Sequence, residues 1–198
     1  MGLDPEYLNG QTPLGEEEKE GLLIPSIATR EELDEFEQQN VEEAFQWLIG
    51  KSIKPEKIFS EKFICDVHKR MLNQVWKWAG TFRHTQKNIG VDYWMVSQEL
   101  NMLLGDAALW FQNEVFPPDE LAIRFKHRIV SIHCFANGNG RHSRLMADII
   151  VEKLFGLEPF SWGERSSSRE GDTRADYLKA LKEADNGSVD RLIKFARS

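Results

Sequence analysis

Residues 133–144 read His133-Cys134-Phe135-Ala136-Asn137-Gly138-Asn139-Gly140-Arg141-His142-Ser143-Arg144. An apolar helical run leads into this stretch and another leads out of it. Gly138-Asn139-Gly140 falls where the chain turns from loop into helix. Glycine permits positive φ and a close approach to a ligand, and Asn139 suits a helix N-cap. The first N–H groups of a helix are unpaired and lie at the positive end of its dipole, so this turn reads as an anion site. Arg141 and Arg144 are three apart and share a face. Their forked donors match phosphate oxygens, which points to a polyphosphate rather than a single carboxylate. His133 ends the preceding helix, and its ordinary titration range lets it take a proton near neutral pH. A base beside a polyphosphate suggests removal of a proton from a hydroxyl that attacks phosphorus.

Apolar periodicity outward from the stretch predicts helices on both sides. The run from Arg141 to Leu154 is apolar almost all round, as a central helix should be. Upstream, Leu121, Ile123, Phe125, Ile129 and Ile132 define a helix from Asp119 towards His133, started after Pro117-Pro118. Leu100, Leu103, Leu104, Ala107 and Phe111 define another, with Ser97 as its expected cap. Thr29-Arg30-Glu31-Glu32 is a capping-box signal for a helix ending at Gly50. Pro55 opens a further helix that Trp76 and Trp78 close. Residues 81–96 differ: Phe82, Thr85, Ile89, Val91, Tyr93 and Trp94 favour extended backbone, with Gly90 and Asp92 as turn formers, so one β-hairpin is expected. Two short helices, Thr173 to Glu183 and Ser188 to Ala196, close the chain. Residues 1–29 carry Pro5, Pro13 and Pro25 and read as an irregular arm packed on the body through Leu22, Leu23, Ile24 and Ile27. The fold class is all-α with one hairpin, a single domain over 30–198 following the arm.

The 198-residue chain has 25 basic and 32 acidic residues, a formal charge of −7. That balance disfavours nonspecific binding to nucleic acid or to an anionic membrane. No apolar run is long enough to cross a membrane. Cys65 and Cys134 have neither disulfide-framework nor zinc spacing, and with no secretory signal at the start the expected location is cytoplasmic.

The central stretch resembles the signature of the Fic (filamentation-induced-by-cAMP) family, His-x-Phe-x-Asp/Glu-Gly-Asn-Gly-Arg-x-x-Arg. His133, Phe135, Gly138, Asn139, Gly140, Arg141 and Arg144 match in register. The resemblance implies a Fido-type bundle of about seven or eight helices. It implies transfer of AMP from ATP to a Tyr, Ser or Thr hydroxyl of a target protein, with His133 as base. Phe135 would anchor the loop, Gly138, Asn139, Gly140 and Arg141 would hold phosphates, and Arg144 would reach the β/γ side. Ala79-Gly80-Thr81-Phe82-Arg83 with Ile89-Gly90 looks like the family's flap, about 79–96, at which the target docks by strand addition. Thr12-Pro13-Leu14 and Glu32-Leu33…Glu37-Gln38 look most like the subgroup called mobile mystery protein B, whose members accompany a small helix-turn-helix partner in mobile elements. Other readings of the pocket are transfer of UMP, phosphocholine or phosphate, or a binding and regulatory module with weak catalysis.

Two residues depart from the signature. Asn137 stands where the family carries the acidic ligand of Mg²⁺ (or Mn²⁺); an amide oxygen can ligate that ion but brings no charge. Cys134 replaces a proline and reads as a small buried residue. An inhibitory glutamate of the family pairs with the second motif arginine. No segment fits its pattern, and Glu37, on the helix that begins near Arg30, is the candidate. Weighed singly, His142 and Ser143 read as helix filling, Trp76, Trp78, Trp94 and Trp110 as core, Glu16-Glu17-Glu18 as a solvated face, and Tyr177 as core sooner than as an adenine platform.

Overall fold

A computed structural model describes residues 14–163 and 170–198. The arm before Leu14, including Thr12 and Pro13, and residues 164–169 of the predicted Ser/Gly loop lie outside the described residues. From Leu14 the arm forms a short helix α1 (Glu16–Lys19) and then runs against residues 75–77. Leu23 N–H donates to Val75 O at 2.8 Å, Lys77 N–H donates to Gly21 O at 2.8 Å, and Leu22 bridges Trp76. Leu14 and Ile27 are buried.

The first long helix is α2 (Arg30–Leu48), with the capping box that Thr29 and Glu32 predict: Glu32 N–H donates to Thr29 Oγ1 at 3.2 Å and Thr29 N–H to Glu32 Oε2 at 3.1 Å. Its inner face carries two polar residues. Asn40 takes Gln74 N–H at 2.9 Å and donates to Arg70 O at 2.9 Å, closing the end of the neighbouring helix. The single helix expected from Pro55 to Trp78 is instead α3 (Pro55–Ile58) and α4 (Glu61–Leu72), separated because Ser60 caps a new start by accepting Phe63 N–H at 3.3 Å. After Leu72 the chain turns through residues 73–80.

Residues 81–92 form an irregular segment with bends at 85 and 88–91 and no hairpin ladder; among the described residues its only β-bridge is Phe82 to Phe135. The physical reason is Arg83. Its buried guanidinium donates to the carbonyls of Thr85, Val91 and His133, and those groups would otherwise need a cross-strand partner. The segment wraps a side chain rather than pairing with itself. Tyr93–Met95 form a 3-10 turn that leads directly into α5 (Val96–Gln112), so Ser97 is inside the helix and not its cap.

The rest follows the predicted order: α6 (Pro118–Ile132), α7 (Asn139–Phe155), α8 (Glu170–Asp185) and α9 (Asp190–Arg197). The described residues therefore hold nine α-helices and no strand, an all-α fold. Helix α7 is the central one. It packs along α6 and against α4, with Leu145, Met146, Ala147, Ile149, Ile150 and Val151 buried. Helix α5 packs on α6, α2 on α4, and α9 on both α6 and α8. No helix among the described residues is long and apolar enough to cross a membrane.

Candidate active site

Helix α6 ends at His133 in the left-handed region, φ 58° and ψ 62°. A non-glycine residue there costs on the order of 1 kcal/mol and persists only where neighbours fix it. Arg83 does so: its Nε–H donates to His133 O at 2.6 Å, and its own N–H donates to Cys134 O at 3.0 Å. Helix α7 begins six residues later, at Asn139, so the loop between is short. Asn139 staples it shut, accepting Phe135 N–H at 2.9 Å and donating to Phe135 O at 2.8 Å. The expected N-cap role thus passes to Gly138, and Asn139 has its side chain turned into the loop.

His68 holds the same loop from beneath. It is fully buried on α4 and stacks on the Phe135 ring, centroids 3.7 Å apart at 12°. Gly80 N–H donates to His68 Nδ1 at 2.9 Å, so the ring proton sits on Nε2 and is donated to Asn137 O at 3.0 Å. One neutral imidazole therefore ties the flap's first residues to the motif. Burial pushes its basicity well below the ordinary histidine range, with His142 adding to the effect.

His133 lies under the flap, 4% exposed. Gly90 passes so close that a Cβ there would stand 2.5 Å from His133 Cβ. Burial, then the charges of Arg83 and Lys87, lower the His133 pKa to about 4 against an opposing hydrogen bond to the Val130 carbonyl. At neutral pH the ring is thus a free base, the form that accepts a proton. Lys87 is held beside it by Glu18, whose other oxygen accepts Thr85 Oγ1–H at 2.8 Å. Glu18 is 8% exposed, so the acidic run 16–18 is not wholly a solvated face: its third member pins the flap to the arm.

The start of α7 is open to a ligand. No side chain caps it, and the N–H groups of the first turn have no intrahelical acceptor. Gly138, φ 76°, has Leu72 Cδ1 2.7 Å from where its Cβ would be, whereas a Cβ on Gly140 meets nothing within 4 Å. The two glycines therefore have different reasons: Gly138 is required by the fold, and Gly140 borders open space. Arg144 lies over the Tyr177 ring, Cζ 4.5 Å from its centroid, with a buried Nε–H that finds no acceptor among the described residues. An uncapped helix start, an open glycine and an unsatisfied guanidinium donor are what a bound polyphosphate would complete.

Two expectations change, those for Glu37 and Trp94, while Tyr177 is core as expected. Glu37 is buried and ion-paired, but with Arg141, the first motif arginine, and not with Arg144. Tyr177 is buried beneath Arg144 and has no free face for a base. Of the tryptophans, Trp76 is core whereas Trp94 is 64% exposed. His142 and Ser143 do fill the helix, bonded to Ile64 O and Gly140 O. Cys134 is buried, its thiol pushed by burial up to about 12.

The residues present do not fit a metal ion on their own. The Asn137 amide oxygen accepts the N–H of Gly138 at 2.5 Å, and no three His, Cys, Asp or Glu side chains among the described residues could share an ion.

His68, Arg83 and Lys126 carry structural roles at the site that the motif does not announce. Two of them had a signal in the sequence. His68 and Lys126 stand on the apolar faces of their helices, among Ile64, Val67 and Met71 and among Ile123, Phe125 and Ile129. A polar group on a buried face must find a partner inside.

Residues 58–151 match the Fic/DOC family profile. Over these residues the chain carries a Fic/DOC family domain, and its helical fold is shared with a solved Fic structure. It is 26% identical over 167 residues to Protein adenylyltransferase Fic of Nematostella vectensis, covering 82% of this chain and 37% of that protein. It is 28% identical over 181 residues to Protein adenylyltransferase fic-1 of Caenorhabditis elegans, covering 88% of this chain and 33% of that protein. The chain spans about a third of the length of these curated relatives. Among solved structures, Fic-1 of C. elegans superposes with a TM-score of 0.65 at 25% identity, over 90% of this chain and 51% of that one. BepC of Bartonella tribocorum, solved with bound AMPPNP, shares the fold with a TM-score of 0.68 at 14% identity, over 92% of this chain and 97% of that one.

Proposed function

We propose that this protein is an adenylyltransferase that moves AMP from ATP to a hydroxyl of a target protein. The observation that carries the reading is the pairing, across one short loop, of a neutral buried His133 with the uncapped start of α7. In this reading the triphosphate lies at the first turn of α7, on the backbone N–H groups beside Gly138, Asn139 and Gly140, with Arg141 and Arg144 on its oxygens. His133 takes the proton of the target hydroxyl, the hydroxyl oxygen bonds to the α-phosphorus, and the bond to the β-phosphate bridge breaks to release pyrophosphate. The dipole and the arginines stabilise the charge that builds on the phosphoryl oxygens. No step is assigned to Mg²⁺ or Mn²⁺.

The target segment docks at the flap, where Ile89, Tyr93 and Trp94 are exposed and Gly90 lies against His133. With no ladder in the flap, these side chains and the backbone of 81–92 make the contact. A cytoplasmic location, membership of the mobile mystery protein B subgroup and a small helix-turn-helix partner belong to the same proposal; they rest on the Glu32-Leu33…Glu37-Gln38 stretch and on the cysteine usage. Label position tests the reaction. Transfer from α-labelled ATP to protein is expected; transfer from γ-labelled ATP alone would make it a phosphotransferase, and failure to bind nucleotide would leave a binding module.

A further inference from the structure

Helix α6 buries a lysine completely. Lys126 is 0% exposed, with no route for its ammonium to water, and Nζ donates to the hydroxyl of Tyr177 on α8. Lys126 Nζ also lies 4.6 Å from the Tyr177 ring centroid, and Arg144 Cζ lies 4.5 Å from that same centroid. Trp162 stands 5.7 Å from Arg144 Cζ, so the guanidinium is held between two aromatic side chains. Among the described residues neither Lys126 nor Arg144 forms an ion pair with a carboxylate. Asp148, one turn beyond Arg144, is turned to Phe160 N–H and the Trp162 indole. Burial pushes the Tyr177 hydroxyl up, but Lys126 and Arg144 more than offset it, so its pKa is lowered; burial in turn lowers that of Lys126.

Two cations therefore share one phenol with no carboxylate in ion-pair contact among the described residues, in a setting where an uncompensated charge is costly. A lysine that only filled space would be replaced at no cost by methionine, and one serving solubility would reach the surface. What the arrangement does provide is a fixed Arg144 in a positive field. Its buried Nε–H has no acceptor among the described residues.

We propose that Lys126 and Tyr177 are positioning residues for Arg144, holding its guanidinium for the terminal phosphates of the nucleotide. This rests on the reading of Arg144 as a phosphate ligand. The Lys126–Tyr177 bond locks the ring, the ring face carries the guanidinium, and the lysine charge is balanced when the triphosphate binds. AMP lacks the phosphates that Arg144 would meet, so it should be nearly blind to the device.

The test is a double-mutant cycle in nucleotide affinity, measured by calorimetric titration with ATP and with AMP on the folded 198-residue chain. Lys126→Met is expected to weaken ATP roughly tenfold and AMP less than about twofold. In an Arg144→Gln background the same Lys126→Met change should alter ATP affinity less than about twofold, because the residue it acts through is gone. Should Lys126→Met fail to fold, Lys126→Met with Tyr177→Phe removes both polar partners together and takes its place in the cycle with the same expectations. Equal weakening of ATP and AMP, or equal weakening in both backgrounds, overturns the positioning role. So does unchanged ATP affinity in Lys126→Met where Arg144→Gln weakens it. If Arg144→Gln itself leaves ATP affinity unchanged, the underlying reading of Arg144 falls instead, and the proposal with it.

Discussion

The Glu37 carboxylate on α2 grips Arg141 in the first turn of α7, 104 residues further along the chain, while its other oxygen accepts the Trp76 indole N–H at 2.6 Å. Glu37 is 2% exposed. A buried acid thus occupies the arginine that the phosphates need, and the two acceptors compete for one guanidinium. Glu37→Gln keeps an oxygen for the Trp76 N–H and removes the charge from Arg141. Its expected effect is an ATP affinity raised about tenfold, in keeping with a charge-assisted hydrogen bond of about 1.5 kcal/mol. Calorimetric titration of the folded variant checks it; an unchanged or weakened affinity means that Glu37 orients Arg141 and does not compete for it.

The two outer glycines of Gly138-Asn139-Gly140 should separate fold from binding. Gly138→Ala places a methyl 2.7 Å from Leu72 Cδ1 on backbone with φ 76°. A loss of about 2–4 kcal/mol of stability is expected in chemical denaturation. Gly140→Ala meets no protein atom within 4 Å and sits in a helix, so stability should stay within about 1 kcal/mol of wild type or rise. Its ATP affinity should fall, since the methyl fills the space the phosphates would occupy. Equal destabilisation by both substitutions would contradict this division.

Stability should fall in mild acid. His133 and His142 have pKa values lowered by burial to about 4, and burial lowers that of His68 well below the ordinary histidine range, so each stays neutral in the folded chain while its unfolded counterpart charges below about 6.5. The unfolded chain then binds more protons between about pH 4 and 6.5, and stability drops as pH falls through that window. Asp148 acts with the opposite sign: burial raises it to about 7, so the folded form holds a proton the unfolded form has released, and its contribution is lost as pH rises from about 4 to 7. From these four groups the unfolded chain carries roughly two extra protons near pH 5, a slope of about 2–3 kcal/mol per pH unit. Denaturation midpoints at pH 5 and 7 measure it. His142→Gln, away from the reacting groups, should shrink the pH effect by about one proton.

Asn137 offers a neutral oxygen that already accepts the N–H of Gly138. Asn137→Asp adds a charge beside the phosphates. In a Mg²⁺ titration of label transfer, the variant should reach half its maximal rate at a lower Mg²⁺ concentration than wild type. Without the ion, its ATP affinity should fall by like-charge repulsion. Superimposable titration curves would show that this position does not set the metal requirement.

What the sequence made legible is what is local. The motif is read because His133, Gly138, Gly140, Arg141 and Arg144 lie within one turn-and-helix unit, where spacing alone fixes which groups share a face. The Thr29–Glu32 capping box is read for the same reason. The course of the flap is not legible locally, because β-propensity counts Phe82, Thr85, Ile89 and Val91 but not what Arg83 does with the carbonyls around it. The Ser60 break was missed because apolar periodicity runs through it. Glu18 with Lys87, His68 with Asn137, Glu37 with Arg141 and Lys126 with Tyr177 are partners 51 to 104 residues apart. Only tertiary packing brings such pairs together.

The most direct measurement is the single-turnover rate of α-label transfer from ATP to a target protein by wild type and by His133→Ala, at saturating ATP, with ATP affinity measured on both. The account predicts a rate loss of about 10²–10⁴-fold with ATP affinity unchanged within about twofold, as expected when a positioned base is removed and the phosphate site is left intact. Transfer by His133→Ala at the wild-type rate would contradict it.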